Sequence, residues 1–395
     1  MKIFPQIKQS PLTSLFGMGG YNVGYVLGRG SPRDINGTYD TSGAYGNAGP
    51  TPTQMENSYI SRLGSSSRFV YYGSNGILFF KVAISGVYNY TARGACGGSG
   101  DGSTRDSSTA GGRPRYLAGT VTLSQDDWMG LSIGQCGGFT RDDYNSSTAG
   151  GGGGGTFFFK VNTTSPTMDQ TVSQSNTITP YIVAAGGNGS NWDSFNVSTI
   201  DARGITSASS DPIASQSNSG NNYGMNIFGR GAFGGSFAYT PYHFQNTSSY
   251  GQYTNYDTST FWRSGAPLLD SNSRIFSNSL KGGMGFNANG QSYSNAKLVS
   301  TQLSADNDGG FGGGGGSRYE GGGGGGYWGG AASYQNDYNT NYTSYGALSY
   351  VNTSYVTNTS DIVFSGASES LRNTLYSTTD TPDSLLQGQF TLQMQ

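Results

Sequence analysis

The chain has 395 residues, enough for one large domain or two to three ordinary ones. It carries 21 Lys and Arg against 23 Asp and Glu, and this balance, a net charge of −2, argues against a nucleic-acid or anionic-membrane partner, which would require a concentrated basic surface. Its 66 glycines are over twice the usual share of about 7%. They do not recur at every third position and Pro is only 12, which excludes collagen. The 28 Tyr and 20 Phe argue against disorder.

Residues 1–65 are predicted to form an extended N-terminal arm. Gly, Ser and Asn are frequent in it and prolines interrupt it, so regular structure is not expected. The prolines are Pro5, Pro11, Pro32, Pro50 and Pro52. Two interpretations remain: the arm binds a neighbouring protein, or it packs irregularly against its own body. The sequence shows neither a secretory signal nor a membrane span, so synthesis in a cytoplasm is expected.

From residue 66 to about 185 the chain is predicted to form β-strands. Short apolar or alternating runs recur with turn residues between them, and no segment repeats with the period of a helix. The predicted strands are Phe69–Tyr72, Ile77–Val82, Val87–Ala92, Leu117–Leu123, Trp128–Ile133, Thr156–Val161 and Tyr181–Ala185. The pattern favours an all-β fold, a sandwich or jelly roll with few or no α-helices.

Clusters of glycine begin or end at these strands. Such runs are often flexible linkers, but nearly pure runs beside apolar strands favour a packed layer of polyglycine II helices. These extended, left-handed threefold helices have no internal hydrogen bonds, so their buried backbone groups must pair with neighbouring runs. Ordering glycine costs much entropy, so many runs must pack together. The predicted framework glycines are Gly150, Gly151, Gly152, Gly153, Gly154 and Gly155, then Gly312, Gly313, Gly314, Gly315 and Gly316, then Gly321, Gly322, Gly323, Gly324, Gly325 and Gly326.

The order of these motifs is similar to that of a known family. Gly-Gln-Cys-Gly-Gly at 134–138 precedes the six glycines of 150–155, Ala-Ala-Gly-Gly follows at 184–187, and Gly-Tyr-Trp-Gly-Gly-Ala-Ala lies at 326–332. This resembles the glycine-rich extracellular domain of the anaplastic lymphoma kinase type receptors, and similar domains occur in secreted, protist, phage and large-virus proteins. The resemblance covers about half of residues 66–365.

The resemblance implies a jelly-roll-like sandwich of the tumour-necrosis-factor type joined to a layer of polyglycine helices. It implies partner binding rather than catalysis, and it is compatible with a homotrimer. The receptor role does not transfer, because the chain has no kinase and no membrane span. The insert at about 190–305, rich in Asn, Ser and Tyr, has no counterpart in the family.

Residues with catalytic potential are scarce. His243 is the only histidine, and its neighbours contain no nucleophile motif, so we predict that the chain is not an enzyme and carries no metal and no cofactor. Cys96 and Cys136 are the only cysteines. They form either one disulfide or two buried thiols.

Two segments are candidates for contact with partners. The aromatic residues Tyr319, Tyr327, Trp328, Tyr334 and Tyr338 form either a binding surface for glycan or protein, or a cover over the glycine layer. In the tail, residues 366–395, the last residues alternate like a strand, which pairs either with a neighbouring protein or within its own sheet.

These observations lead to two functional hypotheses. The first is a non-enzymatic structural component of a virus particle, such as a minor capsid, vertex or fibre protein, which contacts other virion proteins. The alternative is a phage tail-tip or cell-surface adhesin, located on an extracellular surface, that binds host glycans or a receptor.

Overall fold

The structure is a computed structural model in which two β-sheets pack as a sandwich. It describes residues 34–100, 110–138, 149–163, 177–190, 200–206, 234–237, 265–266, 268–269, 274–275, 280–282, 308–317, 321–336, 339–373 and 382–395. For 331–336 and 339–344 it describes the backbone alone. The fold is mostly β, as the sequence predicts.

Sheet A has five antiparallel strands in the order β1, β14, β4, β5, β13. The strands are β1 Gly37–Tyr39, β4 Gly86–Arg93, β5 Arg115–Leu123, β13 Val356–Val363 and β14 Gln389–Met394. The last strand of the chain, β14, lies between β1 and β4, and Phe390 is opposite both Tyr39 and Ala92. The alternating tail therefore pairs within its own sheet, which was one of the two interpretations.

Sheet B has seven strands in the order β2, β3, β6, β7, β8, β12, β9. The strands are β2 Val70–Tyr72, β3 Leu78–Lys81, β6 Trp128–Ser132, β7 Thr156–Asn162, β8 Thr177–Ala184, β9 Arg203–Ile205 and β12 Leu348–Val351. Only the contact between β12 and β9 is parallel. The seven strands predicted from the sequence are all confirmed: β4 and β5 in sheet A, and β2, β3, β6, β7 and β8 in sheet B. Strand β8 begins four residues earlier than predicted.

The main core lies between the two sheets. Phe158 of β7 is fully buried there, with its ring centroid 4.8 Å from that of Phe390 in sheet A and 6.3 Å from that of Phe80 in β3. Its neighbours Phe157 and Phe159 point to the opposite face of sheet B because strand side chains alternate.

That second face of sheet B is covered by the chain itself. The described parts of the insert place Phe237, Leu268 and Leu280 there, together with Phe311, and all four are buried. Sheet B is therefore buried on both faces, which explains the continuous apolar runs of β3 and β7.

Two helices and one hairpin complete the described elements. They are α1 Pro52–Leu63, α2 Glu369–Arg372, β10 Ala331–Asn336 and β11 Asn339–Tyr345, of which β10 and β11 pair with each other. Among the described residues, no helix has the length and apolar character needed to cross a membrane.

Helix α1 and strand β1 lie in the segment for which no regular structure was predicted, and that prediction was wrong for them. Thr51 and Gln54 form a reciprocal capping box at the helix start, and Pro52 occupies a first-turn position where proline is favourable. The helix buries Met55, Tyr59 and Leu63, four residues apart. Residues 34–65 thus pack against their own body. Residues 1–33 lie outside the described residues, so the arm stays a prediction there.

Candidate functional site: the glycine layer

The glycine runs continue the strands of both sheets and meet in one place. We call this assembly the glycine layer, and it consists of segments 94–100, 110–114, 134–138, 149–155, 186–190, 309–316 and 321–326. Segment 94–100 follows β4 of sheet A, whereas 134–138 and 149–155 flank the β6–β7 pair of sheet B. All the predicted framework glycines are buried.

Segment 149–155 is central to the layer, because its amides bond to three neighbours in rotation. Gly150 and Gly153 donate to the carbonyls of Ser190 and Gly187, Gly151 and Gly154 to those of Gly138 and Gln135, and Gly152 and Gly155 to those of Gly315 and Gly312, at 2.8–3.1 Å. Each neighbour is thus reached at every third residue.

The carbonyls of the same segment accept with the same period. The acceptors Gly150 and Gly153 bond to Gly322 and Gly325, Gly151 and Gly154 to Gly98 and Ala95, and Gly152 to Gly310. Segment 309–316 turns back on itself at Gly312 and Gly313, whose φ values are 102° and 84°, so its two legs count as separate neighbours. Six chain segments therefore surround the central one.

A repeat of three residues is the period of the extended threefold helix. Flexible spacers would not bury and hydrogen-bond their backbone in this way. The interpretation of the described glycine runs as flexible spacers is therefore wrong. The left-handed polyglycine II type itself stays a prediction.

The layer has no room for side chains at its centre. A Cβ atom added to Gly154 would lie 1.7 Å from the carbonyl oxygen of Phe311, and one added to Gly152 would lie 2.0 Å from that of Gly323. Only backbone atoms stand in the way, so a shift would break hydrogen bonds. Glycine is required here by close approach of chains.

Side chains larger than a methyl group occur where a segment faces out of the layer. Arg93, Cys96 and Ser99 lie three residues apart along one such segment, and all three are buried. The sequence carries a signal for this arrangement that was not among the predictions above: Arg-x-x-Cys-x-x-Ser, with Gly or Ala between, is the pattern that a threefold helix with one covered face produces.

Arg93 ties the layer to the C-terminal segment. Its Nε donates to the carbonyl of Gln387 at 3.0 Å and its Nη2 to that of Ser384 at 2.8 Å, and its guanidinium lies 4.3 Å from the ring centroid of Phe364. Burial lowers the pKa of Arg93. The amide of Cys96 donates to the carbonyl of Leu386 at 2.9 Å, so residues 384–388 complete the hydrogen bonding on this side.

A second arginine, Arg113, binds two segments together. Arg113 donates to Asp201 from its amide at 2.7 Å, from Nε at 2.9 Å and from Nη2 at 2.5 Å. These bonds raise the pKa of Arg113. Both guanidinium nitrogens donate to Oδ2 of Asp201 and the amide donates to Oδ1, so both oxygens of this buried carboxylate are paired.

Cys96 and Cys136 are free thiols, so of the two interpretations the structure has the buried thiols and not the disulfide. Both pack with Leu386 and Ala367 in a small apolar cluster, and Gln387 donates to the sulfur of Cys136 at 3.2 Å. Burial raises the pKa of each thiol from 9.0 to about 12. Above about pH 9 the thiols ionise in the unfolded chain but not in the folded protein. The stabilisation that the two buried thiols give the folded protein is therefore complete below about pH 9 and is lost as the pH rises toward 12.

We expect both thiols to be inert in the folded protein. With a pKa of about 12, each is thiolate to only about 10⁻⁴ at pH 8, and the thiolate is the reactive form. A thiol-specific chromogenic reagent at pH 8 should titrate no thiol in the native protein and two after denaturation without reductant. A Ser66→Cys variant, exposed in the described structure, serves as the control and should react at once. Fewer than two thiols after denaturation would contradict the prediction and indicate a bridge.

The aromatic residues predicted as a binding surface are only partly described. Tyr327 is half-buried and stacks on Tyr350 with centroids 4.1 Å apart, and Trp328 is buried and lies edge-on to Tyr327. Tyr327 thus packs against the apolar residues that cover the second face of sheet B. Of Tyr334 only the backbone, in β10, is described, and Tyr319 and Tyr338 lie outside the described residues.

The described residues hold no group of three or more His, Cys, Asp or Glu that could bind a metal ion. His243 lies outside the described residues. A scan of protein-family models gave no match, and a search of curated proteins found none similar to this chain.

Proposed function

We propose that this protein is a non-enzymatic structural component of a virus particle, such as a minor capsid, vertex or fibre protein, built on a rigid glycine-rich framework. The observation that carries the proposal is the central glycine segment with six hydrogen-bonded neighbours. Its interior presents no side-chain chemistry, so its use is mechanical: it holds surrounding segments at fixed positions.

Rigidity follows from how the two parts are joined. Strands β4, β6, β7 and β8 run directly into glycine segments, so the sandwich and the glycine layer share continuous backbone. Motion of one against the other would break backbone hydrogen bonds that have no water to replace them. A body of this kind suits a fixed position in an assembly.

Deleting residues 1–33 tests this proposal. The deletion leaves β1 and α1 in place, so we expect an unchanged melting temperature but failure of the chain to enter particles produced in infected or complemented host cells. A chain with residues 1–33 shuffled at constant composition is the control for length and charge. Immunogold labelling of purified particles and quantitative mass spectrometry measure incorporation. Absence of the full-length chain from particles would overturn the proposal.

One observation favours the alternative, an adhesin. At one end of the layer, backbone hydrogen bonds join Ser190, Gly98 and Gly138 to the start of the central segment: Gly150 donates to Ser190, Ser190 to Gly98, Gly98 to Gly151, and Gly151 to Gly138. The connections that leave from these points lie outside the described residues, and their sequences are rich in Asp, Arg, Ser, Thr and Asn. A separate assay of particle attachment to cells distinguishes the two functions. Competition by the purified full-length chain supports the adhesin, whereas the structural role predicts no competition.

A further inference from the structure

Of the two sheets in the sandwich, only sheet A has a face that the described residues leave open. Sheet B is covered on both sides, but on sheet A the outward side chains of Asn89, Thr122, Thr357 and Gln393 are exposed. The register aligns these outward side chains in rows across the strands. One row is Thr38, Thr391, Thr91, Ala118 and Ser360, and the next is Gln393, Asn89, Thr120 and Thr357. We call these two rows the open face.

The polar groups of the open face are held in place by one another. The hydroxyl oxygens of Thr91 and Thr391 are 2.5 Å apart and those of Thr120 and Thr357 are 2.8 Å apart. At the end of the second row Gln395 donates to the side-chain oxygen of Asn89 at 2.9 Å. Side chains that are already ordered lose less entropy when a partner binds.

The chemistry of the open face fits a second copy of itself. In a two-fold symmetric contact the same patch meets itself, so charged groups of one sign would face their own kind. Both rows are uncharged, and hydroxyl and amide groups serve as donors and acceptors alike. A different protein would be expected to anchor on exposed Trp, Tyr or Arg. The described rows contain none.

The size of the whole outward side of sheet A is also sufficient. This side extends beyond the open face to the neighbouring rows that contain Val87 and Tyr116. Five strands spaced about 4.8 Å apart, with about seven residues of 3.4 Å each, give it an area of about 600 Å². Two copies then bury on the order of 1,200 Å², the lower end of stable interfaces. Two apolar side chains stand at its ends: Val87 is 40% exposed and Ile362 is 54% exposed.

We infer that two copies of this chain associate through the open faces of their A sheets, as a weak two-fold dimer. The inference deepens the proposed function, because it names a contact between copies that a particle would use. The dimer is tested in solution, so the outcome of its test does not depend on whether the chain is part of a particle.

Sedimentation velocity of the full chain at rising concentration measures the association. We expect a monomer–dimer equilibrium with a dissociation constant on the order of 10 µM. The double variant Asn89→Lys, Thr120→Lys should stay monomeric, since it places four lysines in one contact. Thr53→Lys, exposed on α1, is the control and should associate like the wild type.

Mixing separates a direct contact from an indirect effect. The double variant Asn89→Asp, Thr120→Asp should also be monomeric alone, but an equimolar mixture of the Lys and Asp variants should form heterodimers. Equal melting temperatures of all variants show that each is folded. A wild type that remains monomeric at several hundred micromolar, or a Lys variant that associates as tightly as the wild type, overturns the inference.

Discussion

A Gly154→Ala variant is expected to lose more than about 3 kcal/mol of unfolding free energy and therefore to melt at least roughly 4 °C lower than the wild type, a 395-residue chain, or to fail to fold. The added Cβ would lie 1.7 Å from the carbonyl oxygen of Phe311, far closer than van der Waals contact allows. The backbone of Gly154 cannot retreat, because its amide bonds to Gln135 and its carbonyl to Ala95. Thermal and chemical denaturation followed by circular dichroism measure the loss.

Gly86→Ala is the matched control for this prediction. Its added Cβ would meet the terminal methyl of Met394 at 2.9 Å, the far end of a flexible side chain that can move. Its cost should be well under about 1 kcal/mol. If Gly154→Ala were as stable as Gly86→Ala, the glycine layer would not be the close-packed body described above.

Five of the seven strands of sheet B (β2, β3, β6, β7 and β8) could be predicted because their sequences carry the reason for their burial. Runs such as Ile77–Val82 and Thr156–Val161 are apolar at nearly every position, which a strand covered on both faces requires. Strands β10 and β13 lack this signal. Residues 356–363 alternate Thr, Asn and Ser with few apolar positions, because β13 lies at a sheet edge with one face open.

The segment that misled sequence reasoning is α1. The capping box of Thr51 and Gln54 and the four-residue spacing of Met55, Tyr59 and Leu63 are visible in the sequence. Proline was interpreted there as a sign of irregular structure, whereas at the first turn of a helix it fits. Proline does interrupt regular structure in the interior of a helix, but it is favourable in the first turn, where Pro52 lies.

The existence of a glycine layer could be predicted, but its internal order could not. Backbone physics requires that buried glycine runs bond to one another. Which segments become neighbours depends on the strands that deliver them, since contacts such as Gly154 to Ala95 join residues distant in sequence. The hydrogen bond from Arg93 to the carbonyl of Gln387 likewise joins residues that are far apart in the sequence.

The C-terminal strand provides the second large prediction: Phe390→Ala should cost about 3–5 kcal/mol. Phe390 is fully buried, with its ring centroid 4.8 Å from that of Phe158, 6.4 Å from that of Tyr39 and 6.5 Å from that of Tyr90. It thereby joins β14 both to its neighbouring strands and to sheet B across the sandwich. Chemical denaturation of the purified variant measures the loss.

Gln393→Ala is the control within the same strand, because Gln393 is exposed on the outer face and its loss should change stability by less than about 0.5 kcal/mol. The comparison also decides how the strand pairs. If β14 pairs within its own chain, the loss of unfolding free energy caused by Phe390→Ala is independent of protein concentration. If β14 is instead exchanged with a neighbouring copy, that loss becomes larger on dilution. A Phe390→Ala protein as stable as Gln393→Ala would mean that β14 does not lie between β1 and β4 in sheet A, and the glycine layer would then lose the segment that closes it beside Arg93.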